Sequence, residues 1–406
     1  MKRILTLALI AAVALFAAQP DTPKLFDEVG SILKELSEIT GLKPLKPVAY
    51  DTMDRAQLKR YIQKKIREEV KPEEIRAEET VLKLFGFLPA DFNLEAATVE
   101  LLTEQAAAFY DYDRKRLYVI DANSDAMQQM ALVHELAHAL ADQHFRLEKF
   151  IKKAESADDA SAARMAVMEG QASWLTFEFM ARQMGRSLKD SPEQLRSMAA
   201  LMQSTAGQFP VLDKAPPYLR ESLLFPYTAG MLFQQKVIEK LDKAGFAEVF
   251  RRPPVSTQQI LHPEKYFGRV EPSSPPLPAF PSVRSYRKLI EGAFGELDHG
   301  ILLRQYCGRE AGELAAKWRG SRFLALESRN GGKPALAYVS EWEDSAAARD
   351  FFHYYKQVLR GKWKKCEASS DEEALFAGAG DSGRFEVRLS GTRVTSLEGL
   401  PASPVR

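Results

Sequence analysis

His134, Glu135 and His138 stand within five residues, in the order His134-Glu135-Leu136-Ala137-His138. The flanks, Met130-Ala131-Leu132-Val133 and Ala139-Leu140-Ala141, are apolar and helix-forming. Positions four apart on a helix lie one above the other on the same face. Both imidazoles can therefore reach one tetrahedral metal ion at about 2.0–2.1 Å. Glu135 projects to the side, where it can hold a water beside the ion and act as a base. That chemistry is hydrolysis of a polarised carbonyl, and the ligand types suit zinc best. An HExxH string also arises by chance on a polar helix face. Here the surrounding Ala, Leu, Val and Met imply a buried helix, where two histidines and a glutamate are costly unless something binds them.

A catalytic zinc takes three protein ligands and keeps a fourth position open. Two residues compete for the third place. His144 follows His134 by ten positions (144 − 134), the spacing of HExxHxxGxxH, but Ala141 stands where that pattern needs a glycine to turn the chain. If the helix continues, His144 points away. Glu169 is the better candidate. It lies in Met168-Glu169-Gly170-Gln171-Ala172-Ser173, on a helical segment running from Ala160 to Arg182. The 31 residues between His138 and Glu169 (169 − 138) leave room for a loop and an antiparallel return helix. A solvated helix glutamate is the plainer reading of the same residue.

The string from Ala131 to Phe145, Ala-Leu-Val-His-Glu-Leu-Ala-His-Ala-Leu-Ala-Asp-Gln-His-Phe, resembles a family of largely uncharacterised secreted bacterial and archaeal proteins with gluzincin-like sites. Three further blocks fit it in the same order: residues 167–172, 226–230 and 256–266. The resemblance covers about residues 80 to 270 and extends to the C-terminal region. It implies a zinc peptidase fold, with His134, His138 and Glu169 as ligands and Glu135 as base. It implies little about substrate.

The elements that must position these groups can be read along the chain. Met1-Lys2-Arg3 followed by an apolar run to Ala18 reads as a secretory signal peptide, residues 1–18, which places the protein outside the cytoplasm, secreted or periplasmic. Phe16 makes the cleavage site imperfect, so retention as an uncleaved anchor stays open. No later stretch is long and apolar enough to span a bilayer. Residues 19–88 read as a charged helical segment, with Phe26, Val29, Ile32, Leu33 and Leu36 forming an apolar stripe. Its Lys-, Arg- and Glu-rich part is a solvated face or a lid over the cleft.

Residues 89–270 read as the zincin-like, mainly helical domain. Its small β-hairpin sets Phe109-Tyr110-Asp111-Tyr112 against Leu117-Tyr118-Val119-Ile120. The second strand is expected at a sheet edge or beside one, where a peptide could lie extended; an ordinary hairpin with its tyrosines in the core is the equal alternative. Pro226 is expected to open a helix with Tyr227 in its first turn. Tyr227 and His262 are the two candidates to stabilise an oxyanion. A packing tyrosine and a turn-forming His262-Pro263 are the plainer readings.

Five prolines between 272 and 281 mark residues 271–284 as a stiff linker. Residues 285–406 read as a small α+β domain of ββαββ order, with Ser345 as a candidate helix cap. Cys307 and Cys366 could form a disulfide or stay as thiols. With 56 basic and 55 acidic residues there is no electrostatic case for nucleic acid.

The fold class expected is thus α+β. The function expected is an exported zinc peptidase acting on peptide or protein substrates. The rivals are a secreted zinc-binding scaffold and an amidase for small or cell-wall substrates.

Overall fold

The computed structural model describes residues 26–120, 125–154, 158–204, 209–281 and 283–401. The segment expected to be a signal peptide lies outside them. Within them the chain is α+β, with ten helices of ten or more residues and two sheets. No described helix is long and apolar enough to cross a membrane.

The N-terminal stripe folds as expected into helix α1 (Val29–Thr40), burying Val29, Ile32, Leu33 and Leu36 and ending at Gly41, whose φ of 76° is left-handed. Helices α2 (Arg55–Glu69), α3 (Pro72–Phe85) and α4 (Leu94–Gln105) follow. Asp54 caps α2 in a capping box with Gln57.

Between α1 and α2 the segment read as helical instead contains strand β1 (Ala49–Met53). It joins the hairpin of β2 (Ala108–Asp111) and β3 (Arg116–Ile120) in the order β1-β3-β2. Strand β3 is therefore central. It runs parallel to β1, with Tyr50 opposite Leu117, and antiparallel to β2, with Phe109 opposite Tyr118.

The long helices α5 (Asp125–Phe145), α6 (Asp158–Gln183) and α8 (Pro217–Leu241) form the centre, with α7 (Pro192–Gln203) against α8. Pro226 does not open a helix. It lies inside α8, whose first-turn proline is Pro217. An interior proline removes one backbone hydrogen bond and strains the turn before it. The burial of the residues around it, Leu223 to Thr228, against neighbouring helices offsets that loss.

The C-terminal region forms one antiparallel seven-stranded sheet, ordered β4-β5-β6-β10-β9-β8-β7. Its strands are β4 (Tyr286–Gly292), β5 (Trp318–Ser328), β6 (Ala335–Trp342), β7 (Cys366–Asp371), β8 (Leu375–Gly380), β9 (Gly383–Ser390) and β10 (Arg393–Leu400). Helices α9 (Glu296–Cys307) and α10 (Ser345–Lys362) complete it. The expected ββαββ core is present as β5, β6, α10, β9 and β10. Strands β4, β7 and β8 widen it. The helix cap is Asp344, whose carboxylate accepts from the Ala347 N–H, so Ser345 is the first helical residue.

Aromatic rings run from one sheet's core into the helices: Phe85 meets Phe294 at 4.6 Å and Tyr338 at 5.2 Å, while Phe87 meets Tyr218 at 4.3 Å. Ser273 of the proline-rich stretch donates its N–H to the Arg319 carbonyl at 2.7 Å, which straps that stretch along β5. Cys307 and Cys366 are both free thiols.

Candidate metal centre

His134 and His138 project from α5 and Glu169 from the neighbouring α6. Their donor atoms form a small triangle. His134 Nε2 lies 3.1 Å from His138 Nε2 and 3.1 Å from Glu169 Oε2, and His138 Nε2 lies 3.3 Å from that same oxygen. Donors at 2.0–2.1 Å around a tetrahedral ion stand roughly 3.3–3.4 Å apart. The three atoms thus occupy close to three corners of such a site. All three residues are buried, Glu169 completely. Among the described residues they form a group able to hold a metal ion.

Burial and the charges within the group set its electrostatics. Burial holds the His134 pKa below its ordinary value, which favours the neutral imidazole a metal needs. Burial also opposes charge on His138, but Glu169 outweighs it, with help from Glu135 and Asp142, and raises its pKa. Burial alone would raise Glu169. The two histidines overcome it and keep the carboxyl acidic. Glu135, next to His134, is fully buried beside the triangle.

Glu169 owes its position to the residue after it. A methyl group on Gly170 would overlap the Gly230 carbonyl, and one on Gly230 would overlap the Ala166 carbonyl. Helices α6 and α8 therefore cross backbone to backbone at this point. Trp174 Nε1 donates to Gln235 Oε1 at 2.7 Å one turn further on, so the two helices ascend together.

That crossing brings Tyr227 to the site. Its ring stacks 6.0 Å from the His134 ring, and its hydroxyl is hydrogen-bonded to Glu169. His262 is not brought there. Its Nε2 pairs with Glu296 Oε1 at 2.8 Å, which raises its pKa. The short helix before it is anchored through Thr257 to Asp159, at 2.6 Å. Asp159 precedes Glu169 by ten residues of helix, about 15 Å. His144 also faces elsewhere, toward the carbonyl of Lys43.

Tyr112, from the hairpin, is also at the site. It follows β2, and its ring stands edge-on to His138 with centroids 6.5 Å apart. Its hydroxyl is buried and has no hydrogen-bond partner among the described residues. Burial, then the charges of Glu169 and Glu135, hold the phenol proton firmly in place.

Two aspartates lock this corner. Asp111 accepts the N–H groups of Asp113 (2.9 Å) and Arg114 (3.0 Å), and the Tyr61 hydroxyl at 2.8 Å. Asp142, one turn beyond His138, accepts from the Tyr110 hydroxyl (3.1 Å), Lys115 Nζ (2.8 Å) and the Leu147 N–H (3.0 Å). Tyr112 stands two residues after Tyr110, in the turn that follows β2, and their rings lie 5.6 Å apart.

Residues 287–405 match a family described only as a domain of unknown function, DUF8575. The match covers the C-terminal sheet from within β4 and includes none of His134, Glu135, His138 and Glu169. No curated protein and no solved structure matches the chain.

Proposed function

We propose that this chain is an exported, zinc-dependent peptidase with a zincin-like helical domain and a gluzincin ligand set, His134, His138 and Glu169. The observation that carries the reading is the triangle of donor atoms, which has the size a tetrahedral ion requires, with Glu135 beside it. A bound divalent ion would supply a polarised carbonyl and a water acidic enough to react near neutral pH. Glu135 would take the proton of the attacking water and pass it to the leaving amine as the C–N bond breaks. Tyr227 would keep Glu169 oriented, as a residue supporting a ligand does.

One observation favours a second reading. Each of His134, Glu135, His138 and Glu169 is at most 5% exposed, as in a structural metal site of a secreted scaffold. Glu135 argues for the enzyme, since a structural site has no use for a base next to its ligand.

Incubation of the purified, zinc-loaded protein with an unstructured peptide library separates the two. Cleavage by the wild type, reduced about 10²–10⁴-fold in Glu135→Gln with zinc still bound one to one, supports the peptidase. Bound zinc with no cleavage by either protein supports the scaffold.

A further inference from the structure

Three hydroxyl or imidazole groups could answer an oxyanion here, and their surroundings differ. His262 is paired with Glu296 far along α6 from Glu169. Tyr227 is at the site, but its hydroxyl is engaged by the ligand Glu169. Tyr112 is at the site, more than nine-tenths buried, and its hydroxyl has no partner among the described residues. A buried hydroxyl without an acceptor is costly to fold around. The fold nonetheless fixes this one in place.

The segment carrying it is held by Asp111, and by Asp142 through the Tyr110 hydroxyl and Lys115, and the ring is flanked by Tyr110 at 5.6 Å and by His138. A donor locked before its acceptor arrives is the arrangement that stabilises developing charge without reorganisation.

We propose that Tyr112 is the oxyanion donor of this site: its hydroxyl is reserved for an oxygen that the ligand brings, and it donates to the carbonyl oxygen of an amide substrate as that oxygen gains negative charge. The proposal rests on the metal-hydrolase reading. It assigns the role to a tyrosine from the β2–β3 hairpin rather than to one from the helix that supports Glu169.

A test that needs no known substrate uses the full chain loaded with cobalt(II), whose visible spectrum reports its coordination, and inorganic phosphate as a tetrahedral oxyanion probe. Tyr112→Phe should bind cobalt within about threefold of the wild type, keep or raise the melting temperature because an unsatisfied hydroxyl is gone, and bind phosphate about tenfold more weakly. Tyr227→Phe should instead weaken cobalt binding.

Equal phosphate affinity in wild type and Tyr112→Phe overturns the proposal. So does a loss of cobalt affinity or of melting temperature in Tyr112→Phe, which would make Tyr112 a positioning or packing residue. A wild type that binds no cobalt overturns the metal reading itself and this proposal with it. Once a cleaved peptide is found, Tyr112→Phe should lower kcat about 10²–10³-fold with little change in KM.

Discussion

His144 Nε2 donates to the carbonyl oxygen of Lys43 at 2.8 Å, and this bond turns the second candidate ligand away from the metal group. The neighbouring Gln143 adds three more bonds to the same segment. Its Oε1 accepts the N–H groups of Leu45 (2.6 Å) and Lys46 (3.1 Å), and its Nε2 donates to the Lys46 carbonyl (3.0 Å). The end of α5 is thus a clasp for residues 43–46, and its histidine is part of that clasp.

Glu169→Ala should therefore weaken zinc binding by at least about 100-fold, the scale expected when a ligand shell is broken. His144→Ala should leave zinc affinity unchanged and instead expose residues 41–48 to limited proteolysis. Competition with a chromophoric chelator reads the first effect and mass spectrometry of nicked protein the second. Equal zinc loss in the two variants would restore His144 as the ligand.

Gly170→Ala puts a methyl group into the Gly230 carbonyl, in a packed core that cannot yield without moving α6. We expect a loss of roughly 1–3 kcal/mol in urea unfolding, with weaker zinc binding because Glu169 is the adjacent residue. Gly30→Ala is the contrast. Gly30 is helical with nothing within 4 Å of the added carbon, so that variant should gain about 0.5–1 kcal/mol. If Gly170→Ala unfolds at the wild-type midpoint, the close crossing of α6 and α8 is wrong.

His299 gives the fold an acid limit. Its Nδ1 donates to the Gly295 carbonyl at 2.7 Å, and its Nε2 accepts from the Tyr338 hydroxyl at 2.6 Å. The ring is thus held neutral, and burial lowers its pKa to about 4. As pH falls below about 6.5 the unfolded chain takes up this proton before the folded one does. Stability is then lost between pH 6.5 and 4, by about 3 kcal/mol at the lower end. Denaturant midpoints across that range should fall steeply in the wild type and less steeply in His299→Gln. Parallel slopes would remove His299 as the cause.

Much of the candidate site was legible because its determinants are local. The spacing of His134 and His138 on an apolar helix needs only helical geometry, and Glu169 needs only one return helix. What was not legible is non-local or masked by charge. Strand β1 is five mostly exposed residues, and it exists because β3, more than sixty positions later, offers a partner. Strand β7 is exposed over most of its length, and β4 carries the charged residues Arg287, Lys288 and Glu291, as edge strands do. Pro226 differs from its expected place because a proline argues for a helix start wherever packing is unknown, while the start signal of α8 is the Pro216-Pro217 pair. Tyr112 carries no local signal for a similar reason. Its hydroxyl matters through what lies across from it, and no neighbour in sequence records that.

The glycine crossing of α6 and α8 has a mechanical consequence. Two helices in backbone contact cannot slide past each other cheaply, so Glu169 and Tyr227 travel as one rigid piece. His134, Glu135 and His138 belong to another piece, α5, which is bound to the hairpin through Asp142 and to the N-terminal segment through Gln143 and His144. The seam between the two pieces runs through the triangle of donor atoms itself. A metal ion there would act as the rivet of that seam, tying the piece that carries Glu169 to the piece that carries the two histidines.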